Sequence, residues 1–238
     1  MIDKLLLSSL AEENGIPLTE EALRRFDQYA ALLVDWNQKI NLTTITDPTE
    51  MVYKHFLDCL FLLNATDFEE GCKVIDVGTG AGFPGLVLLI ARPDLQMTLL
   101  DGTKKRLMVL SDMLQQLGLH AELVHARAEE AGRQKEFREQ YDVATARVVT
   151  NLRDLSELCL PFVKEGGLFI AMKGPDIKEE IKEGEAAIET LGGSILELLE
   201  YALPERGARS LLLVGKEEVT PKKYPRPMGQ IKKQPLRG

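Results

Sequence analysis

The chain has 238 residues, 45% of them apolar and 28% charged, with a net charge of −8. This balance excludes a largely disordered chain, and no run approaches the roughly 20 apolar residues needed to span a bilayer. The N-terminus lacks the apolar core and cleavage site of a secretion signal, and the scattered cysteines Cys59, Cys72 and Cys159 form no disulfide or zinc pattern, so the expectation is a cytoplasmic protein with no bound metal.

Residues 1–64 read as a helical extension. Leu5, Leu6, Leu10 and Ala11 make a short apolar stripe, and Asn14-Gly15-Ile16-Pro17 stops it. Thr19 is an N-cap candidate, with Glu20 and Glu21 in the first turn. Leu23, Phe26, Tyr29, Ala30, Leu33 and Val34 then recur at helical steps. Asp47-Pro48-Thr49-Glu50 is a strong start for a further helix carrying His55, Phe56, Leu60 and Leu63.

From Cys72 onward, strand-like runs at 73–77, 97–101, 121–125, 141–147, 167–173, 195–200 and 210–215 alternate with helical patterns at 84–91, 103–117, 151–160 and 176–191. Such alternation predicts a mostly parallel sheet covered by helices on both faces. The last two strands are separated only by a short turn and should form an antiparallel edge. The division expected is a helical extension at 1–64, an α/β domain at 65–216 and a tail at 217–238. The segment from Lys216 to the end holds seven basic residues, Arg237 among them, against two acids, and its prolines read as an extended, irregular segment. A basic end on an acidic body suggests an anionic partner, although a solvated terminus has the same composition.

The first strand runs into Gly78-Thr79-Gly80-Ala81-Gly82-Phe83-Pro84-Gly85, and an apolar helix follows. Strand, glycine turn and helix form a ligand cradle, because glycines let the backbone approach and the helix start offers free N–H groups. Phe83 stands where a dinucleotide fingerprint requires glycine, which disfavours a pyrophosphate. Asp101 ends the second strand, spaced to hold ribose hydroxyls. An adenosine without a pyrophosphate fits both features, and S-adenosyl-L-methionine, leaving as S-adenosyl-L-homocysteine, is such a ligand. Gly78, Gly80, Gly82, Phe83, Asp101, Ala128, Glu129 and Arg147 are the candidate cofactor residues, since the strand ends should converge on one cleft.

Arg147 and Lys173 also end strands, and each reads either as an acceptor-side residue or as an ordinary ion-pair partner. His55 and Asp58, three apart on one helix, allow a structural contact or a functional pair. Arg206 and Arg209 add positive charge before the last strand, and Asn41-Leu42-Thr43 reads as a capping turn. The fourth strand lacks an Asp/Asn-Pro-Pro-Tyr motif, and no paired cysteines suit pyrimidine methylation.

These residues resemble the RsmG (GidB) family of bacterial methyltransferases acting on small-subunit ribosomal RNA. The matching segments are Asn41-Leu42-Thr43, His55 to Asp58, Asp76 to Gly85, Asp101 with Lys104-Lys105-Arg106, Arg127-Ala128-Glu129, Ala146-Arg147, Met172-Lys173-Gly174 and Tyr224-Pro225-Arg226. Phe83-Pro84-Gly85 is the most specific of these, while Asp101-Gly102 departs mildly from the acidic-Ser pair of relatives. The resemblance implies a Rossmann-like methyltransferase fold: α/β, with a seven-stranded, mostly parallel sheet, an antiparallel edge and an N-terminal helical extension. It also implies methylation of N7 of a guanine in the decoding-region loop of 16S rRNA, free or within the small ribosomal subunit, and the protein is expected to act as a monomer. His55, Arg147, Lys173 and Arg209 would be the RNA-side residues, positioning the substrate without a general base. Two alternatives stay open: a non-catalytic RNA-binding or ribosome-assembly protein, and a nicotinamide-dependent oxidoreductase, which Phe83 disfavours.

Overall fold

The computed structural model describes residues 1–147 and 150–236. Arg237, counted above among the basic residues of the tail, lies outside them.

Helix α1 (Lys4–Glu13) is capped by the Asp3 carboxylate, which accepts from the Leu6 N–H, and it buries Leu7, Leu10 and Ala11. Leu5 is exposed, so the stripe is rotated from the Leu5-centred expectation. Helix α2 (Glu20–Asn37) starts at Thr19, whose side chain accepts from the Ala22 N–H, and buries Phe26, Tyr29, Ala30 and Leu33. Asp47 caps α3 (Pro48–Met51). The single helix expected after it is not regular: a π-helical turn covers Val52–Leu57, followed by α4 (Asp58–Leu60) and a 3₁₀ turn, Phe61–Asn64. A π turn is wider than an α turn, yet His55 Nδ1 and Asp58 Oδ2 both come to the Arg147 guanidinium, at 3.5 and 3.6 Å. Their closest side-chain partners differ, Thr43 and Tyr201.

The seven strands are β1 (Lys73–Val77), β2 (Gln96–Asp101), β3 (Glu122–His125), β4 (Tyr141–Arg147), β5 (Val163–Lys173), β6 (Gly193–Leu203) and β7 (Gly207–Lys216). They lie in the order β3-β2-β1-β4-β5-β7-β6. The first five are parallel, and β7 runs antiparallel to both β5 and β6. The connecting helices are α5 (Gly85–Ala91), α6 (Lys104–Leu117), α7 (Ala128–Ala131), α8 (Leu152–Cys159) and α9 (Lys178–Thr190).

Alternation along the strands divides the interior into two cores. Val74, Met97, Leu99, Val143, Ile170 and Leu213 pack against α5, α6 and the N-terminal helices. Ile75, Leu100, Ala144, Phe169, Leu212 and Val214 face α8, α9 and the tail. The N-terminal helices thus share a core with one face of the sheet. The tail is more ordered than its prolines suggest: it forms α10 (Met228–Lys233) and buries Tyr224 and Ile231. No helix among the described residues is long and apolar enough to cross a membrane.

The chain leaves β1 toward β2 on one side, and β4 lies on the other. Ligands of open α/β sheets bind at this reversal, outside the carboxyl ends of the strands.

Candidate cofactor and acceptor site

The glycine loop hangs from the end of β2. Gly78 and Thr79 both donate to the Leu100 carbonyl, at 2.8 and 3.0 Å, and Gly82 and Phe83 donate back to the Thr79 carbonyl. Gly78, Gly80 and Gly82 take φ values of 78°, 60° and 103°, a region that side chains disfavour. A Cβ on Gly85 would lie 2.4 Å from Leu99, so only glycine lets α5 approach β2 this closely.

Asp101 is on the same side of the sheet as this loop. Its carboxylate accepts from the Gly80 N–H at 3.0 Å and from the Thr103 N–H at 2.7 Å, and Arg106 lies 3.5 Å away. Oδ1, which takes only the Thr103 N–H, keeps a lone pair for a further donor such as a ribose hydroxyl. Ala128 and Glu129 open α7 just past β3, with half-buried side chains at the same edge.

Beneath the loop is a carboxylate for which the sequence suggested no role. Asp76 is fully buried; its Oδ2 accepts from the Gly85 N–H at 2.8 Å, while Oδ1 has no partner. Burial pushes its pKa up to about 6. The buried hydroxyl of Thr79 is close enough to this carboxylate to offset part of that rise, but neither Thr79 Oγ1 nor Asp76 Oδ1 has a partner at full hydrogen-bond geometry. Unpaired buried acceptors are costly and uncommon. An ammonium group seated at the loop would satisfy both, so the donor set fits an amino-acid moiety attached to an adenosine.

Arg147 reaches in from the end of β4. Its guanidinium lies 4.5 Å from the Phe83 ring centroid, a cation–π distance. Nη1 donates to the Lys54 carbonyl at 3.2 Å, and Nη2 is 3.5 Å from His55 Nδ1. The His55 ring stacks on Phe83 with centroids 4.2 Å apart, and its Nε2 is 2.8 Å from Thr43 Oγ1. Burial, and then the charge of Arg147, push the His55 pKa down to about 3. The imidazole is therefore neutral near pH 7 and supplies a flat wall, not a charge. Phe83 is itself buried between these groups and Tyr29.

Arg209 lies at the rim, with Nε 3.9 Å from Asp58. Lys173 is buried, and its ammonium donates to the Thr150 carbonyl at 2.8 Å and pairs with Glu180 at 2.8 Å, tying the segment after β4 to α9. Arg206 stacks on Tyr53 and pairs with Glu50. Asn37 holds the Asn41-Leu42-Thr43 turn by accepting from the Leu42 and Thr43 N–H groups. Sequence reasoning passed over Asp76, Tyr29 and Tyr201 as site residues. The first lay in plain view before the glycines; the other two were indistinguishable from core aromatics.

A separate hollow of about 560 Å³ opens at the opposite edge of the sheet, where the strands begin, beside Lys73, Thr98, His120, Glu122 and Tyr141. Thr98 and Glu122 bond each other there, at 3.1 Å. It lies away from the strand ends where a parallel sheet presents its chemistry, so the glycine loop is the candidate site.

Comparison with known proteins agrees with this geometry. The sequence model of the family described as "GidB: rRNA small subunit methyltransferase G" matches residues 22–207. Ribosomal RNA small subunit methyltransferase G of Clostridium perfringens is 44% identical over 234 residues, 98% of each chain. The protein of the same name from Oceanobacillus iheyensis is 46% identical, covering 94% of this chain and 95% of its own. Among solved structures, a SAM-dependent O-methyltransferase from Thermotoga maritima superposes with a TM-score of 0.51 at 18% identity, covering 79% of this chain and 73% of its own. The mitomycin 7-O-methyltransferase gives 0.56 at 16% identity, covering 79% and 60%. Those two likenesses establish the fold, a Rossmann-like methyltransferase sheet.

Proposed function

The chain belongs to the GidB family of rRNA small subunit methyltransferases, and from that premise we propose that it methylates N7 of a guanine in the decoding-region loop of 16S rRNA. It is an S-adenosylmethionine-dependent enzyme. The observation that carries the reading is Asp101 beside the glycine loop, with the unpaired Asp76 oxygen buried below it.

When bound, S-adenosylmethionine supplies a methyl group already activated on its sulfonium. Asp101 would hold the ribose, Asp76 and Thr79 the ammonium, and Ala128 and Glu129 the adenine edge. Guanine N7 presents a lone pair and carries no proton to remove. A neutral, buried His55 suits that chemistry, since no base is needed. What remains for the protein is alignment and the exclusion of water. Arg147 lies against Phe83 and next to His55, where it can donate to guanine O6 or to a phosphate. Arg209 would extend that positive edge outward, and Lys173 would brace the loop after β4. A cytoplasmic monomer acting on the RNA or on the small subunit completes the proposal.

The test is transfer of a labelled methyl from S-adenosylmethionine to 16S rRNA in small subunits from an undermethylated strain, with the product nucleotide identified by mass spectrometry. We expect 7-methylguanosine, and loss of incorporation with Arg147→Ala. Label on ribose or on a pyrimidine would reject the N7 assignment.

A further inference from the structure

Asp58 faces two arginines and closes on neither. Its Oδ2 is 3.6 Å from Arg147 Nη1, and its Oδ1 is 3.9 Å from Arg209 Nε. Charge-assisted hydrogen bonds of this kind are about 2.7–2.9 Å long. The close contact comes instead from Tyr201, whose hydroxyl donates to Oδ1 at 2.9 Å and lies 3.4 Å from the Asp58 carbonyl. Tyr201 is on the edge strand β6, and its ring stacks on Phe61 with centroids 4.1 Å apart. Stack and hydrogen bond fix the hydroxyl from both ends. The carboxylate is buried, so solvent cannot readily replace this partner.

A free aspartate between two guanidiniums would turn both oxygens to one of them, because the bidentate pair is the stronger geometry. Here Tyr201 occupies Oδ1. The other bonds of the arginines go to the Lys54 carbonyl, Cys59 Sγ and His55 Nδ1 from Arg147, and to the Ala208 carbonyl from Arg209. Five N–H groups on each guanidinium are more than these contacts use.

We propose that Tyr201 is a positioning residue: by holding Oδ1 of Asp58, it keeps one carboxylate shared between Arg147 and Arg209, so that both retain N–H groups for the acceptor-rich edge and phosphates of the RNA nucleotide. This rests on the rRNA methyltransferase reading above. Asp58 supplies the charge that draws the two arginines together, and Tyr201 prevents it from neutralising either.

Tyr201→Phe keeps the ring and its stack on Phe61 and removes only the hydroxyl. The expected result is an RNA KM raised about fivefold to tenfold, with kcat within about twofold of wild type. S-adenosylmethionine affinity should not change. Because Tyr201 acts through the arginines, Tyr201→Phe combined with Arg209→Ala should cost less than the product of the two single effects. A wild-type KM in Tyr201→Phe, strict multiplicativity in the double variant, or a lowered melting temperature accompanied by weaker cofactor binding would each overturn the inference. A wild-type enzyme that transfers no methyl to the RNA removes the parent reading and this one with it; active wild type beside an unaltered Tyr201→Phe removes this one alone.

Discussion

The phenol of Tyr29, on α2, donates a 2.7 Å hydrogen bond to the main-chain carbonyl of Ala81 in the glycine loop, 52 residues further along the chain. Tyr29 is fully buried, and its ring lies 5.6 Å from Phe83. A Cβ on Gly82 would come within 3.0 Å of the same hydroxyl. The N-terminal helices thus support the candidate cradle, since Tyr29 ties α2 to the glycine loop.

Tyr29→Phe removes that donor and strands a buried carbonyl. Loss of the bond should lower stability by about 1–2 kcal/mol and weaken S-adenosylmethionine binding several-fold. Thermal denaturation and calorimetric titration measure the two effects. Unchanged affinity in a destabilised variant would mean that the loop keeps its shape without the helix.

Asp101 and Glu129 can be ranked from their surroundings. Asp101 is buried and receives two main-chain N–H groups, one of them from the loop itself. Glu129 sits half-exposed on the four-residue α7. On the proposed reading Asp101→Ala removes a ribose acceptor as well as a loop anchor, so it should weaken cofactor binding more than tenfold, at about 1.4 kcal/mol per factor of ten, and Glu129→Ala less. Equilibrium dialysis with labelled cofactor decides the order, and a larger loss in Glu129→Ala would reverse the assignment.

Cofactor affinity should depend on pH through Asp76. Burial raises its pKa to about 6 in the free protein. An ammonium beside Oδ1 favours the ionised form and lowers that pKa on binding. The bound state therefore holds fewer protons, and affinity rises with pH through about 6 and levels off above it. Asp76→Asn should flatten this profile while keeping an acceptor for the Gly85 N–H. His55, with its pKa near 3, contributes no inflection in this range. A profile of unchanged slope in Asp76→Asn would exclude Asp76 as its source.

The sheet was legible because strand periodicity and turn residues agreed: each apolar run from 73 onward became a strand within a few residues of its expected ends. The glycine loop and Asp101 were legible for the same reason, since a strand end followed by positive-φ glycines has few other readings. The π turn at Val52–Leu57 was not, because one extra residue per turn leaves the apolar pattern nearly unchanged. Nor was the Tyr201–Asp58 bond, which joins residues 143 apart across an edge strand. The tail misled in a different way. Its prolines and charges resemble a solvated terminus, yet Arg226 pairs with the buried Glu157 at 2.6 Å, and Lys216 is wholly buried against the Leu160 carbonyl and Thr220, which pushes its pKa down to about 8. Composition counts charges and does not show which are already engaged.

That engagement gives the tail a testable role. Arg133 donates to the Lys223 and Pro225 carbonyls, and Arg138 donates to those of Thr220 and Tyr224. Lys222, Lys223, Lys232 and Lys233 stay exposed on this clamped segment, which packs on α7 through Pro225 against Gly132. The lysines therefore project from a segment fixed to the body of the protein, and not from a loose tether. Replacing Lys222 and Lys223 by alanine should weaken RNA binding and reduce the slope of log affinity against log salt by about 1 to 2, at roughly 0.7–0.9 per phosphate contact, with cofactor affinity unchanged. Glu157→Gln loosens the Arg226 anchor without removing a lysine, and it should reproduce part of the affinity loss. Filter binding across a salt series reads both variants. Full RNA affinity in Glu157→Gln would show that the lysines act without being held in place.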